Sequence, residues 1–205
     1  QPSMTQRGSV ATLVTVVALA VGLVGAGTYA YFSKQNNAKE TSTQTNSNSG
    51  DSMSGMDHSM NSMNKELEGL TGDAFDEKFL SLMTEHHAGA VDMATYVDSE
   101  AKHAELRQLA ATITSDQNSE INQMRSWATQ WGYSFEEPDM KAVTAMSKTL
   151  EGKSGDDLDK QFITDMSIHH AGAIEMAQLA LTNAKHQELK DFAQRIIDAQ
   201  TKEMS

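Results

Sequence analysis

Residues Met63 to Asn122 align without a gap on Met146 to Ser205, at an offset of 83 and with 26 identities in 60 positions. Chance does not produce such agreement. It also constrains the fold, because whatever supersecondary unit one copy forms the other forms too, and the two must pack on each other. Each copy opens on a hydroxyl and an aspartate, Thr71-Gly-Asp-Ala-Phe-Asp and Ser154-Gly-Asp-Asp-Leu-Asp, a helix-start signal. Phe79, Leu82, His86, Ala90, Met93 and Val97 follow at three- and four-residue steps, as do Phe162, Met166, His169, Ala173, Met176 and Ala180, which is the helical period. After polar breaks at Asp98 to Lys102 and Thr182 to Lys185, a second stripe runs through His103, Leu106, Ala110, Ile113, Gln117, Glu120 and Met124. Its counterpart is His186, Leu189, Ala193, Ile196, Gln200 and Glu203. Each repeat is expected to be a helical hairpin, and two hairpins make an all-α four-helix bundle. The second copy ends before counterparts of Met124, Trp127 and Trp131, so it is read as shorter or truncated.

The residues outside the repeat set the organisation. Val10 to Phe32 is an apolar run between Arg7 and Lys34, long enough to span a bilayer, while the small residues from Gly25 to Ala30 suit a signal-peptide cleavage site. Residues 1–32 are therefore a signal peptide or a membrane anchor. Both readings export the chain, either held in the membrane by this helix or secreted to the periplasm or another extracytoplasmic space. Residues 33–64, rich in Ser, Thr, Asn, Gln and Gly, bury too little apolar surface to offset their ordering entropy and read as a flexible tether. The duplicated bundle occupies 65–205, with repeat one at 65–132, a connector at 133–150 and repeat two at 151–205. Two prolines in the whole chain suit long helices.

Acidic residues outnumber basic ones 28 to 16, for a formal charge of −12. That excludes nucleic acid as a partner and favours cations. Cysteine is absent, so a soft-metal site must draw on methionine sulfur and histidine nitrogen. The thirteen methionines cluster where such ligands are needed. On a helical wheel of about 100° per residue, Met83, His86, His87, Ala90 and Met93 share one face, and Met166, His169, His170, Ala173 and Met176 repeat it. Gly89 and Gly172 in mid-helix cost about 1 kcal/mol each relative to alanine, a cost that close approach of a neighbouring helix or an ion explains. Met83 lies close enough to His86 or His87 to share an ion. Met83 and Met93, ten residues or about 15 Å of helix apart, cannot share one, and a hairpin turning near Asp98 to Lys102 is expected to bring His103 beside Met93, as His186 beside Met176. In the tether, Met53, Met56, Met60 and Met63 surround His58, a set able to wrap a copper(I) ion. Asp92 and Glu175 read as solvated helix faces. Glu120 and Glu203 read either so or as partners that orient the imidazoles.

These residues resemble the bacterial domain of unknown function 305 family, on Phe79-x-x-x-Met83-x-x-His86-His87-x-x-Ala90-x-x-Met93-Ala94, His103, Ile113, Gln117, Glu120 and Met124, and on the second set from Phe162 through Glu203. Within it they look most like exported copper-binding proteins of the CopM type. The resemblance implies a ferritin-like bundle that binds copper(I), and silver(I), through the matching Met and His positions. Sequestration, chaperoning or resistance is then the expected role, without catalysis, and another exported copper-handling protein is an expected partner. A ferritin-like di-iron or copper oxidase using Glu100, Glu120 and Glu203, or a surface interaction module, is the alternative.

Overall fold

The computed structural model describes residues 60–205. The apolar run at 10–32 and the ligands Met53, Met56 and His58 lie outside them. Among the described residues no helix is long and apolar enough to cross a membrane.

The architecture is all helical. Helix α1 spans Gly72–Glu100 and α2 spans Ala104–Trp131. A short α3, Met140–Ser147, runs into a 3-10 turn at Lys148–Leu150. Helix α4 spans Gly155–Asn183 and α5 spans Gln187–Glu203. α1 packs on α2 and α4 on α5 as two hairpins, and the hairpins meet through α1 and α4. Thr71 and Ser154 stand at the N-caps as their sequence suggests, yet neither hydroxyl caps its helix. The chain instead enters each helix through Gly72 and Gly155, at φ +64 and +56, values an L side chain rarely adopts. Phe75, Phe79, Leu80, Leu158 and Phe162 are fully buried beneath them, each contributing about 1.5–3 kcal/mol of hydrophobic free energy.

Two features depart from the expected layout. The last residues of the supposed tether are structured: residues 60–67 are helical, with Met60, Met63 and Leu67 buried. The physical reason is their spacing, which puts an apolar stripe on one helical face. Matching positions 83 apart then make matching contacts, since Asn64 Nδ2 donates to Glu175 Oε2 at 2.8 Å and the Ser147 hydroxyl donates to Asp92. Asp92 and Glu175 are thus tied to the short helices rather than merely solvated. The second departure concerns the mid-helix glycines. A Cβ on Gly89 would stand 2.0 Å from Met146 Sδ, and one on Gly172 would stand 2.8 Å from Met60 Sδ. What approaches them is a methionine side chain from a short helix.

Each hairpin is fastened to the other by a buried carboxylate. Asp76 of α1 accepts from the backbone N–H of Lys185 (2.9 Å), the backbone N–H of His186 (3.1 Å) and His186 Nδ1 (2.7 Å). Asp159 of α4 does the same for Lys102 (3.0 Å) and for His103 through its backbone N–H (3.1 Å) and Nδ1 (2.6 Å). Each aspartate occupies the start of the partner hairpin's second helix, where unpaired N–H groups and the helix dipole favour an anion.

Candidate metal centre

Helical periodicity carries His86 and His169 to the α1–α4 interface, and there the two repeats touch. The rings of His86 and His169 lie 3.7 Å apart between centroids, and each stands 6.3 Å from its neighbour, His87 or His170. Four imidazoles therefore form one row, His87, His86, His169, His170, across the interface. Separate His pairs, one per repeat, were the expectation. The sequence places each pair on an inner face but does not say that the two faces meet.

Hydrogen bonds fix the tautomers along the row. His87 Nε2 donates to Glu120 Oε2 at 2.7 Å and His170 Nε2 to Glu203 Oε2 at 2.6 Å. His169 Nε2 donates to the His86 carbonyl at 2.8 Å. In a neutral imidazole one nitrogen donates and the other keeps its lone pair, so Nδ1 of His87, His169 and His170 is left as an acceptor. All three are buried without a partner, as are both ring nitrogens of His86. Buried polar atoms are nearly always paired, yet five nitrogens of the row have no partner, and in neutral rings four of the five keep a lone pair, one nitrogen of His86 holding the proton. A soft cation fits.

Burial pushes the pKa of His86 and of His169 well below the ordinary imidazole value. The neighbouring rings push the same way, His169 acting on His86 and His170 on His169. Both rings are neutral at pH 7, the form that binds metals. Because the folded protein takes up these protons less readily than the unfolded chain, stability falls as pH drops below about 6.5, the unfolded value. It levels off only beneath the folded pKa values. Urea midpoints at pH 7.5 and pH 5 are expected to show this loss, and a variant with leucine at positions 86 and 169 is expected to flatten it.

Buried thioethers share the core with the row. Met83, Met93, Met124, Met166 and Met176 are all buried, and Met124 Sδ accepts from the Thr84 hydroxyl at 3.8 Å. Beside His170 a cavity of about 40 Å³ is lined by Met166, His170, Glu203 and Met204, closed by Leu109, Ile113 and Phe162 among others, room for roughly one water or ion. Met204 escaped sequence reasoning because it falls just past the periodic stripe, at the C-cap of α5. A larger surface hollow of about 500 Å³ over Lys153, Asp157 and Lys160 contains none of these methionines or histidines. Among the described residues no three His, Asp or Glu side chains gather closely enough to hold a metal.

His103 and His186 do not join this row. Each is the N-cap of its helix and gives Nδ1 to an aspartate of the other hairpin. Met93 lies about 10 Å down α1 from the hairpin tip, at about 1.5 Å per residue, and the expected Met93–His103 and Met176–His186 pairings would have to use Nε2, since Nδ1 of each histidine is held by an aspartate. Trp131 stacks on His186 at 3.8 Å and 3° and Trp127 meets Phe192 edge-on, so the tail of α2 covers the second hairpin. His186 is 24% exposed and His103 59%.

The fold and the row together define a duplicated Met/His helical-bundle protein. The chain belongs to the DUF305 family, a domain of unknown function, whose sequence model matches residues 26–128 and 134–205. It is similar to solved structures of CopM. The Cu(II)-bound form is 32% identical with a TM-score of 0.56, covering 63% of this chain and 90% of that one. The silver-soaked form is 34% identical with a TM-score of 0.54, covering 63% and 88%. A DUF305 protein from Streptomyces coelicolor shares the fold at 23% identity and a TM-score of 0.57, covering 63% and 87%. A comparison with curated protein sequences finds no match.

Proposed function

We infer that this chain is an extracytoplasmic copper(I) and silver(I) carrier that sequesters or delivers the ion without transforming it. The observation that carries the reading is the buried histidine row, with its unpartnered nitrogens and with Met166 and Met204 lining the cavity beside His170. Imidazole and thioether together select copper(I) over magnesium, calcium or manganese. CopM, the structural relative, is known in copper- and silver-bound forms. Met83 with His86 and His87, and Met166 with His169, His170 and Met204, are the proposed core ligands, and Met53, Met56, His58, Met60 and Met63 the capture ligands. The ferritin-like oxidase reading needs Glu100 on the same ion as Glu120. Glu100 ends α1, about 20 Å of helix beyond His87 at about 1.5 Å per residue.

Anaerobic titration against a copper(I) chelator tests the proposal. The chain is expected to compete, and replacing all four row histidines is expected to remove the core sites; failure to compete contradicts it. Glu120 and Glu203 act by orienting His87 and His170, so Glu120→Gln and Glu203→Gln are each expected to weaken copper(I) binding about 10-fold or more, as read by the same titration.

A further inference from the structure

The row is asymmetric where the repeat is symmetric. A Cβ on Gly172 would stand 2.8 Å from Met60 Sδ and 3.3 Å from His86 Nε2. The sulfur and the nitrogen therefore share one niche and lie at most about 6 Å apart. At Gly89, the position 83 residues earlier, the three atoms nearest the same point all belong to Met146, whose sulfur fills the niche itself. The counterpart of Met60 is Val143, which has no sulfur, and the counterpart of Met146 is Met63. His86 is the member of the row with both ring nitrogens unpartnered, while Nε2 of His169 is committed to the His86 carbonyl. Among the described residues, a soft sulfur and a free, buried nitrogen thus stand together as nearest neighbours of a glycine at Gly172 and not at Gly89.

We propose that Met60 Sδ and His86 Nε2, brought together over Gly172, form an entry site for a monovalent soft cation, copper(I) or silver(I), that links the methionine cluster preceding the bundle to the histidine row. In sequence Met60 belongs to the Met53 to Met63 cluster, so an ion on that cluster and an ion on His86 share a ligand. Transfer then needs only exchange of one bond at a time and no release to solvent. Metal–nitrogen and metal–sulfur bonds of about 2.0 and 2.3 Å, the lengths known for zinc, place a bridged pair roughly 3.5–4.3 Å apart. Rotation about the flexible methionine side chain covers the difference. Met60 is 6% exposed and His86 fully buried. The proposal rests on the soft-metal reading given above.

Silver titration of the full chain, with stoichiometry read by native mass spectrometry and folding by circular dichroism, tests it with Met60→Leu, Gly172→Ala and the control Met146→Leu. Leucine keeps the volume of methionine and removes its sulfur. Gly172→Ala keeps every ligand and sets a methyl between sulfur and nitrogen. Both variants are expected to hold one silver ion fewer than the unaltered chain, with Met146→Leu unchanged. If Gly172→Ala binds like the unaltered chain, the entry site is overturned, including when Met60→Leu alone loses an ion, since that loss then belongs to the methionine cluster. If the unaltered chain binds no silver, the carrier function falls as well. Binding by the unaltered chain with no loss in either variant overturns only the entry site.

Discussion

Replacing His86 and His169 together by leucine is expected to make the metal-free protein more stable while removing its core metal sites. Both rings are fully buried, and three of their four nitrogens have no partner. An unsatisfied buried polar atom costs about 1–3 kcal/mol, whereas an apolar group of similar size costs nothing of the kind. The substitution also gives up the His169–His86 hydrogen bond, worth about 1 kcal/mol net, so the gain is expected at about 2 kcal/mol or more. In a domain of this size about 1 kcal/mol moves the thermal midpoint by about 2–4 °C. Copper(I) should reverse the ranking. A ligand at 100 times its Kd stabilises the folded state by about 2.7 kcal/mol, and only the unaltered chain should show that rise. Calorimetry with and without copper(I) measures both effects. A double variant less stable than the unaltered chain, with its copper response intact, assigns the two rings a packing role instead.

The second large effect is expected at the carboxylates that fasten the hairpins. Asp76→Ala removes a fully buried acceptor and leaves the N–H groups of Lys185 and His186 unpaired at the start of α5. Charged hydrogen bonds are worth about 1.5–3 kcal/mol each, and breaking a buried pair costs about 3–5 kcal/mol. A loss of about 3 kcal/mol is expected. Asp159→Ala should cost less, about 1–2 kcal/mol as for loss of an N-cap, because His103 is 59% exposed where His186 is 24% and water can replace more of what is removed. Urea denaturation of the two variants measures the difference. Equal losses contradict the asymmetry. Burial raises the Asp159 pKa, but its bonds to His103 and to the backbone N–H groups outweigh that and hold it below the usual carboxylate range. This contribution is therefore present above about pH 4, the unfolded value, and fades as pH falls through the lower folded value.

Much of this was legible in the residues, and what was not follows a physical pattern. Periodicity marked the long helices, and the polar breaks marked their ends, because a helix buries one face and the sequence records which. The same stripe put His86, His87, His169 and His170 inside. Contacts between repeats leave no such trace. That His86 meets His169, and that Asp76 reaches His186, depends on how two hairpins dock, and no spacing within either hairpin encodes it. Asp76 and Asp159 do recur at matching positions, a signal read only as a helix start. Met93 and His103 were paired by assuming that helices of one hairpin align from the tip down. The tip in fact leaves Met93 two turns below it. Met60 was assigned to a tether from the composition around it, although its spacing with Met63 and Leu67 already described a helical face.

The most direct measurement is a crystal structure of the silver-loaded protein with anomalous scattering collected to locate the metal. Silver is expected within the bundle, bonded to a methionine sulfur and to at least one ring nitrogen of His86, His87, His169 or His170. Silver confined to surface carboxylates, with the four rings unmoved and unbonded, contradicts a soft-metal core.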